Sequence, residues 1–268
     1  MSESGYSSDE DCFYREELIR LKKTYRVKAL LQKAAHGDIF LGSDRQRRQV
    51  ILKVIKKRKG SITYHNGRRI PTEAKMHYLA HAADPKGTVA LLDVFERTAD
   101  FVLAMEKPDN SIDLLDFVNE YGQLDLAVVK DITSQLARST LNHGHIVHRD
   151  LKDENVLFDP LTRQTKIIDF GNACYAQDPN VNKFGTPAFY SPEQRTGQTT
   201  NTEKNTIYSI GCIAFILLTA SSPFTEDVEF DFDRHILLNF SLSKGEREFL
   251  SKLLHPNPVQ RVQLSTLL

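Results

Sequence analysis

The sequence predicts an α+β fold in two lobes, a small sheet-rich one followed by a larger helical one, and three observations predict it. Up to residue 105 the apolar residues fall in short runs of Val, Ile, Leu and Phe broken by Gly and polar turns. Beyond Pro108 they recur at helical spacing. At 268 residues the chain exceeds the usual single-domain size, which makes one large domain or two lobes the natural arrangement.

In order along the chain, residues 1–11 are Ser- and acid-rich and are expected to be disordered. Ser7 and Ser8, ahead of Asp9, Glu10 and Asp11, form an acid-flanked phosphorylation motif, although a solubilising tail is the commoner explanation. Residues 1–24 thus read as a tail and lead-in to a domain over 25–268. Leu30-Leu31, Ile39-Phe40-Leu41 and Val50-Ile51-Leu52 predict three strands. Pro71 through Ala82 predicts a helix, with Pro71 suited to its first turn. Thr88 to Val94 and Phe101 to Met105 predict two more strands, and residues 106–110 a short link. In the second lobe Val128, Val129, Ile132 and Leu136 mark a helix, and so does Leu237 to Leu254. The apolar run Ile207–Ala220 is well short of the ~20 residues of a membrane span and reads as a helix buried on all sides.

Composition narrows function by exclusion. Lys plus Arg and Asp plus Glu number 35 each, giving zero formal charge and a pI near 7.1. That balance argues against nucleic acid or an anionic membrane as the main partner. The basic residues from Arg45 to Arg58 read as a solvated strand-and-loop face. Cys12, Cys174 and Cys212 have no paired spacing, which suits a reducing compartment, cytoplasmic or nuclear. The N-terminus lacks the apolar stretch of a leader.

The chemistry is concentrated in a few short motifs. His148-Arg149-Asp150-Leu151-Lys152-Asp153-Glu154-Asn155 places a carboxylate five residues ahead of a carboxamide. Asp169-Phe170-Gly171 follows, preceded by Ile167-Ile168 as a strand. Gly185-Thr186-Pro187 and Ser191-Pro192-Glu193 come next, and Lys53 stands at the end of Val50-Ile51-Leu52-Lys53. A buried Glu193 needs a cationic partner, and Glu73 is an acidic residue twenty positions after Lys53 on the predicted helix.

These motifs resemble those of the eukaryotic protein kinases, from about Tyr25 to the end of the chain. The first matches H-R-D-L-x-x-x-N, a chance event on the order of one in ten thousand chains of this length. The resemblance implies the bilobal protein-kinase fold and assigns roles. Asp150 would accept the proton of the substrate hydroxyl, and Lys152 would neutralise the transferring phosphoryl group and favour Ser/Thr over Tyr. Thr186 would hydrogen-bond Asp150 and Lys152, while Asn155 and Asp169 would hold Mg²⁺. Lys53, oriented by Glu73, would grip the α- and β-phosphates of ATP. Leu31, Gly37, Ile39, Ile51, Met105, Glu106, Pro108 and Leu157 complete the implied ATP site, and Arg261 is the implied partner of Glu193.

Within the kinases the chain is most similar to the Pim family, in the stretches 91–118, 146–159 and 166–171. Lys107-Pro108 matches that family's hinge proline, which lacks the N–H that adenine would otherwise accept from. The resemblance implies a monomer acting on proteins with basic residues upstream of the target, gripped by Asp113, Asp116, Asp153 and Glu154. Ser221 stands where a further Asp is expected. The loop Gln32–Gly37 keeps only the last glycine of G-x-G-x-x-G, Ile51 replaces the small residue that roofs the adenine, and Thr206 replaces an Asp. The alternative is a kinase-fold binding protein with little or no catalysis, to which the depleted loop and Ile51 point. A small-molecule kinase is disfavoured by the Gly-Thr-Pro and Ser-Pro-Glu elements. Residues 172–184 carry no Ser or Thr, so the activation loop is expected to need no phosphate, with Asp178 as a built-in anion for Arg149. The chain stops seven residues after Arg261, within an expected last helix, so a C-terminal continuation is an open question.

Overall fold

The computed structural model describes residues 8–33, 37–178, 184–198, 201–222 and 240–268. Two compact units emerge, residues 1–78 with 89–108 and residues 79–88 with 109–268.

The first unit is built on a five-stranded antiparallel sheet, ordered β1-β2-β3-β7-β6. Its strands are β1 (Arg26–Gln32), β2 (Ile39–Ser43), β3 (Gln49–Lys56), β6 (Leu91–Glu96) and β7 (Asp100–Glu106). Alternation along β3 and β7 gives the sheet two apolar faces. One carries Ile51, Ile55, Phe101, Leu103 and Met105, packed with Ile70 and Ala74. The other carries Val50, Leu52, Val102 and Ala104, packed with Tyr25, Phe95 and Leu21. Burial of a ring such as Phe95 or Phe101 contributes about 1.5–3 kcal/mol. Helix α2 (Thr72–Ala83) covers the first face, and helix α1 (Ser8–Thr24) lies against the second.

Helix α1 corrects the expectation of disorder over residues 1–11, because the helix already begins at Ser8. Ser7 and residues 1–6 lie outside the described residues. A second element absent from the expectation is the hairpin of β4 (Ile62–His65) and β5 (Arg68–Pro71). Its turn is Asn66-Gly67, with φ of 49° and 75°, the paired positive values of a type I′ turn. Pro71 closes β5, so the following helix starts at Thr72 instead. The strand expected from Thr88 starts at Leu91, because Thr88 forms only an isolated bridge to Ile167.

In the second unit α6 (Thr202–Thr219) is the central post, with Ile207, Tyr208, Ile210 and the run Gly211–Leu218 buried. A side chain at Gly211 would meet Leu254 at 2.7 Å, so this position lets the C-terminal segment pack close to the helix. Around it lie α3 (Leu114–Tyr121), α4 (Leu126–Asn142), the four-residue α5 (Pro192–Arg195) and α7 (Lys244–Leu253). Helix α7 is shorter than the helix expected over 237–254: residues 237–239 lie outside the described residues, and a capping box starts the helix after Ser243. There the Ser243 hydroxyl accepts the Glu246 N–H, and the Glu246 carboxylate accepts the Ser243 N–H at 2.6 Å. The last residues form a 3₁₀ turn, Leu264–Leu267. Short strands β8 (Ile112–Asp113), β10 (Val156–Asp159) and β11 (Gln164–Ile167) make one small sheet, and β9 (Ile146–Val147) pairs with β12 (Cys174–Tyr175). No helix among the described residues is long and apolar enough to cross a membrane.

Candidate active site

In the first unit Lys53 sits on the α2 face of β3, in register with Ile39 of β2 and Leu103 of β7. Its Nζ lies 2.8 Å from Oε1 of Glu73, in the first turn of α2. Both side chains are largely buried, 9% and 12% exposed, and a buried ammonium needs such a partner. Ile51 and Met105 stand opposite each other in register and pack on the same cluster as Leu91. Glu106 donates its N–H to Ala90 O at 2.9 Å. Leu31 is exposed, as is every residue of β1.

Gly37 has φ of 149°, and a Cβ there would lie 1.8 Å from the Val54 carbonyl oxygen. Only glycine fits this close approach of backbone to backbone.

In the second unit the segment from His148 to Asn155 is tied to the chain around it. His148 Nε2 lies 2.9 Å from Ile168 O, and its Nδ1 accepts the Asp150 N–H at 3.3 Å. A carbonyl only accepts, so these two bonds fix the Nε2–H tautomer. Asn155 donates its Nδ2–H to Asp150 O at 2.8 Å, turning its carbonyl oxygen the other way. Asp150 Oδ1 accepts from both the N–H and the hydroxyl of Thr186, at 2.8 and 2.7 Å, while Oδ2 accepts from Asn172 Nδ2 at 3.1 Å. A carboxylate offers about four acceptor directions, so one remains on Oδ2 for an incoming proton.

Asp169 caps the next turn in a left-handed conformation, φ 61° and ψ 78°, and accepts the Gly171 N–H at 3.1 Å. Phe170 is buried and meets the His148 ring edge-on at 4.9 Å. Lys152 is ion-paired with Glu154, which corrects the expected Lys152–Thr186 bond: the Glu154 carboxylate, two residues on, takes the ammonium. Burial pushes the Lys152 ammonium down, but Glu154, Asp150 and Asp153 outweigh it and hold it charged.

Arg149, at φ 65°, donates its Nε–H to Asn172 O and stacks over the Phe184 ring, 4.4 Å from its centroid. Burial raises the Cys174 thiol, Arg149 lowers it and Asp178 raises it, with a net rise. Glu193 and Arg261 form a buried fork, Oε1 to Nη1 at 2.5 Å and Oε2 to Nη2 at 2.6 Å. Thr206 turns its hydroxyl to Thr202 O at 2.9 Å. A cavity of about 230 Å³ lies beside it, lined also by Arg149, Asp150 and Tyr190.

The four acidic candidates are placed unequally. Asp113 caps α3 by accepting the Asp116 N–H at 2.9 Å, and stands opposite Leu157 in the small sheet. Asp116 and Glu154 are exposed, whereas Asp153 is buried and its carboxyl is raised by that burial. Ser221 donates its hydroxyl to Thr219 O at 3.3 Å. Of the basic run, Arg45, Arg47 and Arg48 are exposed, while Lys53 and Lys57 pair with Glu73 and Glu96. Asn172 and Phe184 were not among the sequence candidates, because neither belongs to a recognised motif. Asn172's place directly after Asp169-Phe170-Gly171 was its only signal.

The first unit thus holds the Lys53–Glu73 pair, and the second holds Asp150 with three of its acceptor directions filled beside Asn155 and Asp169. The protein kinase domain family matches residues 25–268, and the chain belongs to that family. It is 28% identical over 258 residues to the serine/threonine-protein kinase prk-2 of Caenorhabditis elegans, covering 93% of this chain and 58% of that protein. With the serine/threonine-protein kinase pim-2 of Danio rerio it shares 29% identity over 187 residues, 68% of this chain and 60% of the relative. The chain thus spans somewhat under two thirds of both relatives. A solved structure of Rad53 residues 1–466 with AMP-PNP shares the fold at a TM-score of 0.70 and 22% identity, over 92% of this chain and 64% of that one.

Proposed function

We propose that this chain is an ATP-dependent protein kinase acting on Ser or Thr hydroxyls, of the Pim-like kind. The observation that carries the reading is the bonding of Asp150. Thr186 and Asn172 hold its two oxygens, and the one open acceptor direction suits a substrate hydroxyl. Asp150 takes that proton as the oxygen attacks the γ-phosphorus in line, the bond from that phosphorus to the β–γ oxygen breaks and ADP leaves with its electron pair, and Lys152 offsets charge on the phosphoryl oxygens. Lys53, held by Glu73, grips the α- and β-phosphates. The donor set fits Mg²⁺: both candidate ligands present hard oxygens, and the amide bond of Asn155 to Asp150 O leaves its carbonyl oxygen as the ligating end. When bound, the ion draws charge from the β- and γ-phosphates.

A basic substrate is supported by Asp116 and Glu154, the exposed members of the acidic set, and less by buried Asp153. Independence from activation-loop phosphate is supported by the Arg149–Phe184 stack, which occupies the guanidinium that a phosphate would otherwise neutralise. The test is turnover of a mixed Ser/Thr peptide library with Mg-ATP, before and after phosphatase treatment of the protein. Phosphorylation of peptides with upstream Arg, unchanged by phosphatase, is the expected result. Selection of acidic peptides sinks the substrate reading, and loss of turnover on phosphatase treatment sinks the second.

A kinase-fold scaffold remains the competing reading, favoured by exposed β1 and by Ile51 in the adenine roof. A thermal shift separates the two. Mg-ATP at 100-fold over its Kd stabilises a binding protein by about 2.7 kcal/mol, and no shift favours the scaffold.

A further inference from the structure

The hairpin β4–β5 leads straight into α2, which carries Glu73, and it is bound on both sides. Toward α2, Thr72 N–H donates to Ser61 O at 2.9 Å, and the His65 ring stacks on Tyr78 at 5.3 Å and 12°. Toward α1, Arg68 Nη2 meets Glu17 Oε2 at 3.3 Å. Arg69 meets Glu96 at 3.4 Å, Glu96 meets Lys57 at 2.7 Å, and Lys57 reaches the Tyr14 hydroxyl at 3.3 Å.

Glu17 is the hub of this arrangement. It is 8% exposed, yet it is a carboxylate, and burial is tolerable only because donors surround it. Arg20 supplies two at 3.1 Å, Arg68 one at 3.3 Å, and the Glu96 backbone N–H another at 3.3 Å. Arg20 in turn fixes α1 to the sheet. Its guanidinium lies 4.0 Å over the Phe95 ring and donates to Val94 O at 2.9 Å and Asp93 at 3.1 Å. A continuous path of contacts therefore runs from α1 through Glu17 and Arg68 into the hairpin, then five residues along the chain to Glu73.

We propose that α1 is a positioning element for the Lys53–Glu73 pair, acting through the Glu17–Arg68 contact and the β4–β5 hairpin. Part of its readout, nucleotide affinity, rests on the kinase reading above. The helix sets where the hairpin sits, the hairpin sets the start of α2, and the first turn of α2 presents Glu73 to Lys53. Residues ahead of the catalytic domain thereby gain a handle on its nucleotide site.

Arg68 is the place to test this, because its side chain is 54% exposed and its loss spares the fold. Deleting α1 would bare Phe95 and confound the result with stability. In the full chain, Arg68→Ala should speed amide hydrogen exchange across residues 72–83 by about two- to fivefold, the range an ion pair of this exposure carries. The KM for Mg-ATP should rise by a similar factor with kcat and melting temperature little moved, and Arg68→Lys should restore most of both. In a Glu73→Gln background, Arg68→Ala should weaken binding of a fluorescent nucleotide no further. Wild-type exchange over 72–83 in Arg68→Ala overturns the proposal, and so does an additive loss of nucleotide affinity in the double variant. Exchange needs no turnover, so a chain that fails to phosphorylate peptides would still decide this question while refuting the kinase reading separately.

Discussion

The two units hold their candidate residues to different standards. Around Asp150 every polar atom is engaged: both carboxylate oxygens, the carbonyl and the N–H all have partners at 2.7–3.3 Å. On the nucleotide side, Lys53 and Glu73 are buried together, but β1 is exposed at every residue, and the loop after it keeps one glycine of three. The proposed base is organised by its own chain before any substrate arrives. The proposed nucleotide contacts rest on a few side chains. Chemistry and nucleotide affinity should therefore separate under mutation.

The sharpest break is Asp150→Asn. It should lower kcat by roughly 10²–10⁴-fold while nucleotide affinity, followed by fluorescence titration, stays at the wild-type value. A parallel fall in affinity would show the two halves to be one. Glu193→Ala tests how far the second unit's order depends on its buried fork. Removing one partner of a buried pair typically destabilises by about 3–5 kcal/mol, and urea unfolding should show a lower midpoint with nucleotide affinity per folded molecule unchanged.

On the nucleotide side, Ile51→Ala should open the adenine roof and tighten ATP binding, at the expense of packing against Leu91 and Met105. Isothermal titration should give a smaller Kd together with a lower melting temperature. An unchanged or larger Kd would refute the crowding of the adenine pocket by Ile51. The smallest effect concerns pH. Burial raises the Asp153 carboxyl above its unfolded value, so the folded state binds more protons just above the ordinary carboxylate range. Its contribution to stability should fall as pH rises through that window. Asp153→Asn should flatten that part of the stability curve, measured by denaturant midpoints against pH.

What the sequence disclosed follows the same division. Asp150, Asn155, Asp169 and Lys53 stood out because the kinase motifs they match fix residue type and spacing together, and the Glu193–Arg261 fork was expected from the family resemblance alone. The central helix was legible from its unbroken apolar run. Helix α1 was not, because what it buries includes a carboxylate, Glu17, and what anchors it is a guanidinium over Phe95. An apolar spacing was present in Tyr14, Leu18, Leu21 and Tyr25, but the charged residues among them obscured it. The hairpin did have a signal, Asn66-Gly67 between Ile62-Thr63-Tyr64 and Ile70, but the charged pair Arg68-Arg69 obscured its alternation. The Lys152–Thr186 bond was wrongly expected because a motif names the residue and not the neighbour that competes for its charge.

Gly37 gives the loop a different history from the one its motif implies. A Cβ at that position would strike the Val54 carbonyl at 1.8 Å, so the geometry of the sheet by itself requires glycine there, whatever the loop binds. A descendant that had abandoned nucleotides altogether would still be obliged to keep it. The first two glycine positions are filled here by Gln32 and Ala34, and a survey of inactive kinases should find the third glycine outlasting the other two.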